Sequence, residues 1–401
     1  MPQQDVLEYY KARGMGFGEG TTGGAGGKTV EVKTGDELQA AANAMTEPTI
    51  FRIPKGAQIN GGNTKGAQID FKEKHNFSVV GSGENDRPDV TQVGFRCIRS
   101  SNFWFDNLAI ERITEGQKDC IGIEDDCKKF AVTRNRMRGD MKAGKDDMDG
   151  LVDIKKGSEF GFIADNDFGN HHKVSLIGHT DSAGGPGTWH VTYNRNLFDN
   201  VGSRCPSVRG GVADVVDNYF RDVETTGINC RMDATVKIRG NAFENVDDPI
   251  VSTDSKKIGY WDLDEGNDLA KVTWGVKAGK SSATAQDGKS TCHVVLPEDY
   301  RLERLPARTV KAHVLANVGP RAGALATPAP QPELGQGGSE PGPAPGETGS
   351  GGETVPPQPG TDQPNAPAEE EPEVVDLGPI AVALDEAEAA IAKVRRLLGA
   401  G

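Results

Sequence analysis

An asparagine phrase returns six times through the middle of this chain, and it constrains the fold more than any other feature. Each copy closes a short strand-like run with Asn and usually places a large apolar residue two positions later. The copies are Phe105-Asp106-Asn107-Leu108-Ala109-Ile110, Thr133-Arg134-Asn135-Arg136-Met137, Ala164-Asp165-Asn166-Asp167-Phe168, Asn194-Arg195-Asn196-Leu197-Phe198, Val216-Asp217-Asn218-Tyr219-Phe220 and Arg239-Gly240-Asn241-Ala242-Phe243. Successive asparagines are 28, 31, 30, 22 and 23 residues apart, which are coil lengths for a β-solenoid, the longer ones carrying loops. A tight corner between strands needs a residue that tolerates the left-handed conformation and bonds its side chain to nearby backbone. Stacked coils then set one amide above the next as a ladder. Turn asparagines scattered through a β-sandwich would show no constant phrase. The repeat predicts an all-β chain, a right-handed parallel β-helix built as a single-stranded solenoid. Thr34 followed by Gly35-Asp36-Glu37-Leu38-Gln39-Ala40-Ala41-Ala42 predicts a capped helix closing the apolar end of the stack.

Composition separates this core from a tail. Residues 321–401 hold 4 Lys+Arg and 13 Asp+Glu, a net −9 of the chain's −14, so residues 1–320 carry −5. Thirteen of the 23 prolines fall between Pro328 and Pro379. The stretch 324–376 therefore reads as a disordered Pro/Gly/Glu-rich linker, unable to bury enough surface to offset its ordering entropy. A short amphipathic helix is expected over 379–399, where Leu384, Ala387, Ile391, Val394 and Leu398 step as a heptad seam. Two heptads do not stand alone, so residues 384–398 predict a partner or self-association, with a frayed tail helix as the alternative. The core is expected over 16–320, after an N-terminal extension of residues 1–15. An acidic chain repels phosphates, which argues against nucleic acid, and no run approaches 18 apolar residues, which argues against a membrane span. Met1-Pro2-Gln3-Gln4-Asp5 has neither the basic nor the apolar part of a signal peptide. The six cysteines include no CxxC pair, which argues against a zinc ribbon and leaves any disulfide pairing open.

Two motif-like segments lead elsewhere only at first sight. The glycine-rich run Gly18–Thr29 ends in Gly27-Lys28-Thr29, but the Walker pattern needs Gly where Thr22 stands, so a loop lying against the first coil is expected. His171, His172 and His179 match no metalloprotease spacing and read as turn or core histidines.

Several phrases carry a family resemblance. They are Thr21-Thr22-Gly23-Gly24-Ala25-Gly26-Gly27, Asp149-Gly150-Leu151-Val152-Asp153-Ile154, the run from His172 to Ser182, Val191 to Phe198, and Ser203-Arg204-Cys205-Pro206-Ser207-Val208-Arg209-Gly210-Gly211. Phe243 to Ile250 and Val310 to Asn317 continue in the same order. Across residues 16–320 the chain resembles polysaccharide lyase family 1, the pectate and pectin lyases.

The chemistry of the matched residues is coherent by itself. Asp149 and Asp153 leave one face of an extended segment about 13 Å apart if it is straight, so a bend, or Asp119 from the preceding coil, is needed to gather oxygens. Carboxylates in such a set are ligands for Ca²⁺, a hard cation. The resemblance implies that Asp119, Asp149 and Asp153 hold calcium. It also implies that Arg204 accepts the proton while Lys173 and Arg209 hold substrate carboxylates, as fork and point charge can. The reaction implied is β-elimination on (1→4)-α-D-galacturonan (polygalacturonate, pectate), leaving 4,5-unsaturated ends outside the cell. A guanidinium is ordinarily charged, so Arg204 as base requires unusual surroundings. Gln117 stands where many calcium-using members have an acid, and Phe130-Ala131-Val132-Thr133-Arg134-Asn135 replaces their Trp-x-Asp-His phrase; either departure could weaken calcium binding or shift the substrate. Pectin lyases lack the acidic set, so its retention favours the non-esterified polymer. The alternative is a module of a larger assembly, such as a phage tail, that grips or degrades another polyanionic polysaccharide with weak or no activity on pectate.

Overall fold

Three parallel sheets are wound from successive coils, each coil giving one strand to each sheet in turn. The first sheet has ten strands, the second eight and the third nine. A computed structural model of the chain describes residues 3–60, 68–84, 87–182, 185, 187–264 and 266–322. The expected linker and C-terminal helix, 324–376 and 379–399, lie outside the described residues. The parallel β-helix read from the repeat is the observed architecture, with Phe, Ile and Val pointing inward from all three sheets.

Alternation along the strands decides what packs on either side of the first sheet. In Ser101–Asp106, Phe103 and Phe105 enter the core while Trp104 points out; in Lys128–Thr133, Phe130 and Val132 enter while Ala131 points out. The outward residues are covered by a helix, Gln3–Arg13, through Val6, Leu7 and Tyr10. Residues 1–15, read above as an extension, thus contribute a helix that packs on the first sheet. A second helix, Val310–Asn317, packs Val310 and Val314 on Leu197, Tyr219 and Ala242 of the second sheet. The glycine-rich loop lies on the first coils: the Thr22 and Gly23 amides donate to Asn102 Oδ1 (2.7 and 3.0 Å) and that of Gly24 to Ser78 Oγ (2.9 Å). Gly24 is required there, since a Cβ would meet the Thr49 carbonyl oxygen at 2.2 Å.

The asparagine ladder forms at the corner between the first and second sheets. Each Nδ2 donates to the next Oδ1: Asn135 to Asn166 (3.1 Å), Asn166 to Asn196 (2.9 Å), Asn196 to Asn218 (2.9 Å), Asn218 to Asn241 (3.0 Å) and Asn241 to Asn267 (3.1 Å). Two details differ from the sequence reading. The left-handed residue is the one before each asparagine (Arg134, Asp165, Arg195, Asp217, Gly240), which frees the Asn amide to point along the stack. Asn107 is itself left-handed (φ 62°) and donates to the Gly81 carbonyl, so the ladder begins at Asn135 and runs on to Asn267.

Asn196→Ala removes four bonds at one rung, those to Ile163 O, Asn218 Oδ1, Asn166 N and Asn166 Nδ2. With buried partners left unpaired, we expect a loss of about 3 kcal/mol, read as a lower urea midpoint.

The ends of the stack are closed by different means. At the start, the helix Gly35–Ala44 is capped by Thr34, whose side chain accepts from Glu37 N, and buries Leu38 and Ala42. Its Gln39 amide bonds both backbone groups of Asp70, Oε1 to N at 2.8 Å and Nε2 to O at 3.0 Å, on the first strand of the third sheet. At the far end, Ala283–Thr284 pairs antiparallel to Ile250–Ser252. Thr291 and Ser290 satisfy the amides of Trp261 and Leu263 on the last strand of the first sheet.

Candidate active site

The acids assemble on the third sheet. Asp119 opens the strand Asp119–Glu124 and stands in register with Gly150, which opens the next strand just after Asp149; Asp153 aligns with Gly122. The Leu151 and Val152 amides share the Val174 carbonyl (2.8 and 3.2 Å), while the register of the strand runs without a break against both neighbours; Asp119 from the preceding coil completes the set. One oxygen from each of Asp119, Asp149 and Asp153 lies within 4.8 Å of the others. Gly150 leaves the room: a Cβ there would approach Asp153 Oδ1 to 2.4 Å and Asp119 Oδ1 to 3.1 Å. Gln117 brings a neutral oxygen to the same corner, because a Cβ on Gly122 would touch Asp119 Oδ2 at 3.3 Å and Gln117 Oε1 at 3.4 Å.

Two lysines partly neutralise the cluster. Lys155 Nζ is 2.7 Å from Asp119 Oδ2 and 3.3 Å from Asp153 Oδ2. Lys173 Nζ is 2.8 Å from Asp149 Oδ1 and 3.0 Å from Asp146 Oδ1. Even so, Asp119 Oδ1 and both Asp153 oxygens are buried without a hydrogen bond. Burial, then the Asp153 charge, pushes the Asp119 carboxyl up to about 8, and burial also drives Asp153 upward. Burial alone would raise Asp149 too, but the Lys173 bond and charge hold it below the usual carboxylate range. Buried acids short of positive charge and of donors are suited to a hard divalent cation.

The neighbouring cleft has the opposite deficit. It measures about 390 Å³ and is lined by Lys145, His172, Arg204, Arg209, Arg231 and Asp254 among others. Arg204 is held by its backbone, left-handed at φ 62° with its carbonyl accepting from Ser175 N at 2.8 Å. Its guanidinium makes no hydrogen bond or ion pair among the described residues, and both Asp149 and Asp153 feel its charge. Arg209 is anchored by Asp181 (3.1 Å) and the Gly178 carbonyl (3.1 Å). Arg231 lies in register with Arg209 on the next coil, and its Nε is buried without a partner. Burial, then the charge of Arg209, brings Arg231 down to about 10. Guanidiniums crowded this way hold a place for an anion.

The sequence-derived residues fall into two adjoining groups. Asp119, Asp149 and Asp153 converge, and Arg204 and Arg209 share the cleft. Lys173 is buried and bound to Asp149 and Asp146, at the seam between the acids and the cleft rather than in the lining. Sequence reasoning missed Lys155 and Arg231. For Arg231 the signal was available: it follows Arg209 by 22 residues, the step from Asn196 to Asn218. Among the described residues no histidine joins a metal-type cluster. His171 Nδ1 accepts from Lys173 N (3.0 Å), and burial brings its ring down to about 4. All six cysteines are unpaired, five of them buried.

Solved structures share this architecture. Pectate lyase II from Xanthomonas campestris pv. campestris aligns with TM-score 0.67 at 29% identity, covering 76% of this chain and 97% of that one. A Bacillus sp. N165 pectate lyase in complex with trigalacturonate aligns with TM-score 0.66 at 28% identity, covering 76% and 98%. Among sequences, a pectate trisaccharide-lyase of Bacillus licheniformis is 39% identical over 242 residues, 60% of this chain and 70% of that protein. Fold, site and relatives together define a polysaccharide lyase. Residues 8–322 match the family model described as pectate lyase, and the chain belongs to that family.

Proposed function

We propose that the chain is a calcium-dependent lyase that cleaves non-esterified galacturonan outside the cell and leaves 4,5-unsaturated oligogalacturonates. The observation that carries this reading is the adjacency of two complementary deficits, orphaned carboxylate oxygens of Asp119 and Asp153 beside a cleft lined by Arg204, Arg209 and Arg231. The carboxylate set fits calcium, with Asp119, Asp149 and Asp153 holding it. When bound, calcium supplies charge withdrawal from the uronate carboxylate, which eases removal of the neighbouring proton. Arg209 and Arg231 fork substrate carboxylates and align the sugar with its C5 hydrogen toward Arg204. Arg204 takes that proton on a guanidine nitrogen from its neutral form, and becomes guanidinium as it does so. The C5–H electron pair becomes the C4–C5 double bond, the C4–O4 bond breaks, and O4 leaves with a proton from water.

One assay tests the reading. Polygalacturonate incubated with the protein and Ca²⁺ should develop the ultraviolet absorbance of the unsaturated product, and chelation should stop it. No product at any calcium level would replace the lyase with a polysaccharide-binding module.

A further inference from the structure

We propose that Lys145 is a further substrate-binding residue, presented by loop 139–149 to take a uronate carboxylate beside the cleaved bond; this rests on the lyase reading above. The loop joins the strands Arg136–Arg138 and Gly150–Ile154 and is pinned on both sides of Lys145. Before it, His172 Nε2 lies 3.0 Å from the Ala143 carbonyl oxygen, and Gly144 N donates to Asp147 Oδ2 at 2.8 Å. After it, Lys118 Nζ donates to the Asp146 carbonyl at 3.0 Å and Lys173 Nζ to Asp146 Oδ1 at 3.0 Å. The Gly144–Asp147 bond is internal to the loop, while His172, Lys118 and Lys173 reach it from neighbouring coils and fix it to the frame of the site.

Lys145 itself lines the cleft with Arg204, Arg209 and Arg231, yet makes no hydrogen bond or ion pair among the described residues. Arg209 spends part of its fork on Asp181; Lys145 has all three donors free. An ammonium on a flexible stem acts as a point charge, so it tolerates the positional spread of a polymer but still requires a negative partner. A methyl ester at that subsite offers none. Lys145 therefore adds preference for the free acid through binding, leaving the proton transfer alone.

The test uses the full chain with Ca²⁺ and substrates of graded esterification. Lys145→Gln is expected to raise KM on polygalacturonate about fivefold with kcat within about twofold, and Lys145→Glu to raise it further. Lys145→Arg should restore most of the affinity, and on heavily esterified pectin Lys145→Gln should match wild type. An active wild type whose KM is unchanged by both Gln and Glu overturns the assignment of Lys145. A wild type that forms no unsaturated product overturns the lyase reading instead. In that event calorimetry with saturated trigalacturonate decides on Lys145: weaker binding by the Gln variant upholds it, and equal binding removes it.

Discussion

Arg204→Lys is expected to lower kcat on polygalacturonate by about a thousandfold or more, within the range that a positioned base contributes, while circular dichroism and calcium affinity stay unchanged. The backbone at this position is fixed by its left-handed conformation and by the bond from Ser175 N, neither of which depends on the side chain. The cleft arginines proposed to fork substrate carboxylates, Arg209 and Arg231, are untouched by the substitution, so KM should move little. What is lost is the planar fork and its reach. The guanidinium is the one cleft arginine with no anchoring bond among the described residues; Arg209 is tied to Asp181 and Gly178, and Arg231 to Ser207 (3.5 Å). That freedom suits a group that must meet a moving proton. Initial rates from product absorbance measure the effect, and a lysine variant running at the wild-type rate would take Arg204 out of the proton transfer.

Asp153→Asn is expected to weaken calcium binding by about a hundredfold and to abolish lyase activity at micromolar calcium. Asp153 is wholly buried and neither of its oxygens has a hydrogen bond, with Lys155 Nζ 3.3 Å from Oδ2; on the proposal above, the ion supplies the missing contacts. A linked pH effect follows from Asp119. Its carboxyl ordinarily titrates at 3.8 and is pushed up to about 8 in the fold. Between those values the folded state holds a proton that the unfolded chain has released. The contribution of Asp119 to the stability of the chelated protein therefore falls as pH rises through this window. Calcium requires the ionised form, so its uptake at pH 7 should release about one proton, and saturating calcium should flatten the pH dependence. Calorimetry in buffers of different ionisation heat counts the proton, and urea midpoints at pH 5 and 8 give the slope. His171, brought down to about 4, contributes the opposite slope below its ordinary value of 6.5, so the comparison is with Asp119→Asn, and an equal slope in that variant would contradict the assignment.

How far the sequence carried differs from residue to residue. The coil spacing was readable because each turn repeats one steric problem with one solution, and the ladder from Asn135 to Asn241 followed. Asn107 was misplaced by one residue, although its own phrase held the sign: the large apolar residue stands three places after Asn107 and two after the others. Asn267 escaped because Leu269 belongs to a strand that is mostly exposed, which weakens the apolar half of the phrase. In the site, the three aspartates were singled out by their chemistry, and the structure brings their carboxylates together. Their convergence was not legible, since it depends on the register of neighbouring coils, which sets Asp119 beside Gly150 and Asp153 beside Gly122. Lys155 and the true position of Lys173 were hidden for a related reason. Whether a lysine faces substrate or closes on a neighbouring acid depends on distances across coils.

The two unlike closures of the stack bear on what this molecule does at high concentration. A parallel pile of coils is a template, and identical piles laid end to end would grow into a fibre. Here Gln39 already occupies the Asp70 edge, a reversed strand terminates the third sheet, and Lys271 puts charge on the last strand of the second. A newcomer meets consumed donors, the wrong strand direction or a charge. Deleting 35–44 or 283–294 should therefore make the enzyme polymerise head to tail.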